Sequence, residues 1–234
     1  MAESKDEYVT ALRFPWLTRF YDPVVATTRE KAFKRRLLEQ AELGATQRVL
    51  DLGCGTGTLA ILAKQMCPDA HVTGCDGDPQ VLSRARGKAD RAGVQIQLDR
   101  ALSYSLPYGD AGFDRVLSSL FFHHLLLADK ERTLREVVRV LRPGGELHVC
   151  DWGRLSSPLM RVLFLGVQLV DGFENTRQHA GGALAELMAE AGLVQVATRG
   201  GLDTIFGSLG LYSACKPGQT RDRAASFRGR EATL

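Results

Sequence analysis

Residues 49–60, VLDLGCGTGTLA, carry an apolar run straight into three glycines spaced two apart and then into a second apolar run. Few backbones accept that order. The segment RVLDL (48–52) has the length and composition of a buried strand, and the glycines permit a tight turn with positive φ. TLAILAKQM (58–66) follows with helical spacing and stops before Pro68. A strand, a glycine turn and a helix in succession open a βαβ unit, and the chain then repeats the alternation. HVTGCD (71–76) reads as a second strand, and DPQVLSRARGKADRAG (78–93) as a helix with Asp78 as N-cap and Pro79 in its first turn. VQIQL (94–98), FDRVLSS (113–119) and ELHVCD (146–151) are three further strands. Between the last two, DKERTLREVVRVL places Leu134, Val137, Val138 and Leu141 on one helical stripe, and RPGG stops it.

Strands alternating with helices imply an α/β fold with a doubly wound, mostly parallel sheet and helices on both faces. After Asp151 the pattern changes. An apolar helix (158–170) and a polar stretch, DGFENTRQHAGG, precede the helix ALAELMAEAG, and LVQVATRG and TIFGSLGLYSACKP read as two closing strands, seven in all. Upstream, TTREKAFKRRLLEQAEL begins at a Thr cap and ends at Gly44. The expected organisation is one domain over 1–216: a helical lid (1–45), a core (46–151), a cap insertion (152–181), and a closing helix and strands (182–216). The tail 217–234 lacks apolar periodicity and is expected to be disordered.

A chain of 234 residues, 44% hydrophobic and 24% charged, can bury the core such a sheet needs. A net charge of +3 is too mild to argue for nucleic acid, which calls for a clustered basic face. The first residues show no basic-then-apolar leader, and the 158–170 segment contains Arg161 and is too short to span a bilayer. The five cysteines (54, 67, 75, 150, 215) are odd in number and include no C-x-x-C pair, so they read as reduced, packed thiols with neither a disulfide frame nor a zinc site. A cytoplasmic protein is expected. Oligomeric state leaves no signal.

The glycine loop parses in two ways. From Gly55, G-T-G-T-L-A satisfies the dinucleotide fingerprint, whose last position accepts alanine. From Asp51, D-L-G-C-G-T-G sets an acid ahead of Gly53, Gly55 and Gly57. Asp76, ending the second strand about 20 residues on, is placed to take ribose hydroxyls under either parse. Asp51 does discriminate. At the mouth of the loop its carboxylate would repel a pyrophosphate and attract the ammonium and sulfonium of S-adenosylmethionine (SAM). The physical argument favours SAM over NAD.

VLDLGCGTG, the acid at 76, LPYGDAGFDRVLSSLFFHHL (106–125) and LREVVRVLRPGGELHVCDW (134–152) together resemble the class I SAM-dependent methyltransferases, over about residues 15–216. The second and third segments are similar to the ubiquinone/menaquinone C-methyltransferase-like branch. The resemblance implies a Rossmann-like methyltransferase fold, SAM as cofactor and S-adenosylhomocysteine as product. It implies that Asp51, Gly53, Cys54, Gly55 and Gly57 line the methionyl side, that Asp76 holds the ribose, and that Gly77 and Asp78 flank the adenine. One departure stands out. Many relatives read G-D-A-x-x-L-P, with an acid near the adenine amino group, where this chain has Ala101-Leu102-Ser103. The adenine is then expected against apolar contacts and the backbone of Leu102 or Ser103, unless a gapped alignment restores Asp99.

The methyl should point beyond the carboxyl ends of strands 1 and 4, the usual crevice of open α/β sheets, which Leu117 to His124, including Ser118, face. His123 and His124 are candidate general bases, and Asp151 at the same rim is another; packed or capping roles explain them as well. The stretch Asp171 to His179 is a candidate substrate lid or a solvated loop. Phe14, Trp16, Phe20 and Tyr21 form an aromatic segment that the resemblance folds over the cofactor, with Tyr21 near the active site; a staple for a terminal helix is the alternative. The 158–170 helix, apolar nearly all round, is buried or walls a pocket for a hydrophobic ring such as a quinone precursor. The D/N-P-P-Y of amino-methylating DNA enzymes and a Pro-Cys nucleophile are missing. A small-molecule acceptor is expected, with no nucleic acid and no required metal. A SAM-binding protein without catalysis and a NAD-dependent oxidoreductase remain as alternatives.

Overall fold

In the computed structural model, the residues described are 30–153, 183–204 and 207–218. Within them lie β1 (Arg48–Leu52), β2 (His71–Asp76), β3 (Gln97–Arg100), β4 (Phe113–Ser119), β5 (Leu141–Trp152), β6 (Val194–Thr204) and β7 (Gly207–Cys215). The helices are α1 (Glu30–Ala41), α2 (Thr58–Met66), α3 (Pro79–Ala92), α4 (Leu127–Val140) and α5 (Ala183–Glu190). The strands form one seven-stranded sheet in the order β3-β2-β1-β4-β5-β7-β6. Strands β1 to β5 pair in parallel, and β7 runs antiparallel between β5 and β6. Winding proceeds outward from β1 to β3 and then returns to β4, so the order reverses between β1 and β4. A crevice opens outside their carboxyl ends at such a switch point.

The period of two along β1 divides the core. Leu50 and Leu52 join Val116, Leu134, Val137, Leu147 and Met188 under α4 and α5. Val49 joins Phe33, Leu37, Leu59 and Ala63 under α1 and α2. Each fully buried Leu contributes about 1.5–3 kcal/mol through the water it leaves. Asp51 shares the parity of Val49, which sends its carboxylate toward α1 and α2.

Local differences from the sequence pattern have local causes. On α4 the buried stripe runs through Leu134, Val137 and Val140, with Val138 only half-buried. Leu141 is already extended, and RPGG starts β5 instead of capping the helix. The partner strand explains this: the Gly144 N–H donates to the Lys216 carbonyl (2.9 Å) and the Lys216 N–H to that of Gly145 (2.9 Å). The third strand runs over Gln97–Arg100, later than VQIQL (94–98), because Gly93 (φ 65°) and Val94 donate back to Asp90 and Ala89 to finish α3. The segments 1–29, 158–170 and 171–182, with their aromatic, apolar-helix and lid expectations, lie outside the described residues, as does the tail from 219. Among the described residues, no helix is long and apolar enough to cross a membrane.

Candidate active site

The loop between β1 and α2 is left-handed at Gly53 (φ 67°), Gly55 (φ 52°) and Gly57 (φ 74°), a conformation that a Cβ disfavours. Their surroundings differ. A Cβ on Gly53 would stand 2.2 Å from Phe121 Cδ2, and one on Gly57 would stand 2.9 Å from Ala85 Cβ, whereas one on Gly55 would meet nothing within 4 Å. Gly53 and Gly57 are therefore required by protein packing, and Gly55 presents bare backbone to open space. The Cys54 N–H donates to the Cys75 carbonyl (2.9 Å), tying the loop to β2.

Two acids shape this loop. Asp76 accepts the Gly55 N–H on Oδ2 and the Asp78 N–H on Oδ1, each at 2.9 Å. Burial raises its pKa against the pull of those amides. Each oxygen retains a second lone pair, which suits a pair of ribose hydroxyls. Asp51 is 1% exposed, beneath the loop and not open at its mouth. Its Oδ2 accepts the Ala60 N–H (3.0 Å) in the first turn of α2, and its Oδ1 is buried with no partner among the described residues. Burial pushes the carboxyl up to about 7, while the Lys34 ammonium on α1 and the Ala60 amide pull it down. A buried, half-satisfied carboxylate oxygen costs about 1–3 kcal/mol, and a cation bound at the loop would relieve that cost. The donor set thus fits a ligand that is cationic near Asp51 and carries a ribose near Asp76.

The remaining nominated residues divide. Cys54 turns its thiol into the sheet, where Sγ would lie 3.0 Å from a Cβ on Gly74, and burial raises its pKa. Asp78 caps α3 by accepting the Gln80 N–H (2.7 Å), and the Gly77 carbonyl accepts from Arg100 Nε (3.3 Å). The Ser103 hydroxyl is buried against that of Thr133 (2.8 Å), and the Ser118 hydroxyl is fully buried on the Leu52 carbonyl (2.9 Å). Both serine side chains are committed inside the fold, which leaves Ser103 only its backbone to offer a ligand. Asp99 accepts from Tyr108 Oη (3.1 Å) and Gln97 Nε2 (2.7 Å). Tyr21 lies outside the described residues. Lys34 beside Asp51, and Lys88, whose ammonium donates to Thr56 Oγ1 in the loop (2.7 Å), are charges that no motif announced.

At the β4/β5 rim, Leu120 is left-handed (φ 52°), and its N–H donates to the Cys150 carbonyl (2.8 Å). This turn, strained for a non-glycine residue, throws Phe122–His124 back over the end of β5 as a single 3₁₀ turn. His123 and Asp151 meet there, both buried, with Nδ1 and Oδ1 2.7 Å apart. Asp151 also accepts the Phe121 N–H (3.1 Å) and the Trp152 N–H (2.8 Å). A carboxylate holding that many donors is an acceptor, which places an imidazole proton on Nδ1. The His124 ring lies against that of His123, tilted by 43° with centroids 3.9 Å apart. Lys130 of α4 is buried with Asp151 as the charge that favours its ammonium, while burial lowers its pKa.

Comparison with known proteins agrees with this geometry. Residues 49–145 match the family described as methyltransferase domain. A demethylmenaquinone methyltransferase of Thermus thermophilus is 39% identical over 120 residues, covering 51% of this chain and 54% of that protein. An uncharacterized methyltransferase of Synechocystis sp. is 30% identical over 203 residues, covering 76% of this chain and 93% of that protein. The chain spans about half the length of the menaquinone-pathway relatives it matches first. The crystal structure of the S-adenosylmethionine-dependent methyltransferase SibL superposes with a TM-score of 0.70 at 22% identity, over 90% of this chain and 64% of that one, a likeness of fold.

Proposed function

The chain belongs to the class I SAM-dependent methyltransferases, in the ubiquinone/menaquinone C-methyltransferase-like branch, and from that premise we propose that it methylates a small-molecule acceptor, with a hydrophobic ring such as a quinone precursor as the leading class. The observation that carries this reading is the meeting of two unlike groups at one switch point. The buried, unpartnered Asp51 Oδ1 lies beneath the glycine loop, and the His123–Asp151 pair lies across β4 from it.

When bound, SAM supplies a methyl group on a positively charged sulfur, activated for in-line displacement. The residues of this chain do the rest. Asp51 favours the ligand's positive charge and disfavours a pyrophosphate, against the NAD parse. Gly53, Gly55 and Gly57 line the methionyl portion, Gly55 through its open backbone and Gly53 and Gly57 by seating the loop against Phe121 and Ala85. Asp76 receives the ribose hydroxyls, and the backbone of Gly77, Asp78, Leu102 and Ser103 borders the adenine.

At the other rim, His123 Nε2 accepts a proton from the acceptor, and Asp151 fixes the tautomer and stabilises the imidazolium. A base in this position suits an acceptor whose nucleophile is masked by a proton, such as a hydroxyl or a C–H on an electron-rich ring. The relatives named for demethylmenaquinone support such a ring.

The test is incubation with SAM and a panel of demethylated quinols and phenols, reading S-adenosylhomocysteine and methylated product by mass spectrometry. Stoichiometric formation of both is the expected result. SAM binding without turnover of any ring acceptor would overturn the acceptor class.

A further inference from the structure

We propose that Phe121 is the residue that contacts the sulfonium, and that its ring gives the site a preference for the charged nucleoside over the neutral product. The inference rests on the SAM-binding reading above and assigns a role to a residue that no motif singled out. Phe121 stands between the two halves of the cleft. Toward the loop, its Cδ2 and Cγ lie 2.2 and 2.3 Å from where a Cβ on Gly53 would be, so its ring occupies the space beside the first glycine. Toward the rim, its amide donates to Asp151 Oδ2 (3.1 Å), two residues before His123. A methyl passing from the loop side to the rim side therefore passes this ring.

The two adjacent phenylalanines are used differently. Phe122 is fully buried in the core beneath α4 and α5, and it meets Phe121 edge-on, with centroids 5.8 Å apart. Phe121 is only half-buried. Its backbone is held on both sides, by the left-handed Leu120 bonded to Cys150 and by the His124 N–H donating to the Phe121 carbonyl (3.1 Å). The braced backbone limits the freedom lost when the ring meets a cation, and the ring's negative π face attracts one.

SAM and S-adenosylhomocysteine share the ribose that Asp76 would receive and the ammonium that Asp51 favours. They differ by one methyl group and one positive charge on sulfur. A contact that reads that charge separates the two ligands, and a contact that only fills space does not.

The experiment is calorimetric titration of the full chain with each nucleoside separately, on wild type, Phe121→Leu, Phe121→Met and Phe121→Tyr, with far-UV circular dichroism as a check on folding. The two non-aromatic variants should each lower SAM affinity about fivefold while S-adenosylhomocysteine affinity moves less than about twofold, and Tyr should restore the wild-type ratio. Equal weakening of both ligands would mean the ring is only a wall, and an unchanged ratio would remove the contact altogether; either overturns the inference. Wild-type protein that binds neither nucleoside would overturn the SAM reading itself, a separate and recognisable failure.

Discussion

On the β1/β2 side of the proposed site, the groups a ligand would meet are mostly backbone, namely the bare peptide of Gly55 and the turns braced by Asp76. On the β4/β5 side they are side chains, with His123 and Asp151 brought together by a strained turn and a 3₁₀ segment. The difference teaches how each half can vary. A backbone site tolerates almost no change at its glycines but demands little of its neighbours. A side-chain site depends on partners far apart in sequence, here 28 residues. Binding a common cofactor suits the first construction, and adapting to particular acceptors suits the second.

The comparison breaks most readily at the glycines. Gly53→Ala sets a Cβ against Phe121 and strains the backbone, so SAM affinity should fall more than about a hundredfold, with about 2–4 kcal/mol lost in stability. Gly55→Ala meets no protein atom and should cost only about 1–2 kcal/mol, yet still weaken SAM about tenfold by filling the ligand's space. Thermal melts beside titrations separate the two, and equal effects would deny the open face at Gly55.

His123→Ala should act on the other half alone. It is expected to lower kcat by about 10²–10⁴ while the Kd for SAM stays within about twofold. Asp151→Asn should lower kcat and change the pH–rate profile, since the amide no longer favours the productive tautomer.

Asp51 sharpens the contrast through pH. Its carboxyl is raised in the fold to about 7 from an ordinary value near 3.8, so folding takes up a proton between those limits. The contribution of Asp51 to the stability of the ligand-free protein therefore falls as pH rises from about 4 to about 7. Asp51→Asn should remove that slope and raise the ligand-free melting temperature at alkaline pH by roughly 4 °C. The same change should weaken SAM about tenfold, and wild-type affinity should climb as pH rises toward 8.

The smallest effect belongs to His148, which serves neither half. It is buried between Gln40 Nε2 (3.1 Å) and Glu146 Oε2 (3.0 Å), joining α1 to β5, and burial pushes its pKa down to about 4. The unfolded chain takes up that proton near pH 6.5, so the contribution of His148 is lost as pH falls from there toward 4, by about 1 kcal/mol at pH 5.5. His148→Gln should flatten this limb in acid melts and leave SAM affinity unchanged.

The same contrast explains what was legible in the sequence. Gly53, Gly55 and Gly57 announce their conformations directly, and the alternation from Val49 to Asp151 foretold the parallel order of the sheet. Burial of Asp51 beneath the loop follows from its parity with Val49, a signal present in the sequence but read as an open acid. The partnership of His123 with Asp151 could not be seen, because register and the left-handed Leu120 decide it. Nor could the inward commitments of Ser103 and Ser118, since a hydroxyl gives no sign of which neighbour it will meet.

One titration series bears most directly on the claim that this loop holds SAM: wild type and Asp76→Ala against SAM, S-adenosylhomocysteine and NADH. The expected result is binding of the two sulfur nucleosides alone, weakened at least about tenfold in Asp76→Ala. Binding of NADH without SAM would mean the loop reads as a dinucleotide site from Gly55, and would contradict the methyl-transfer reading.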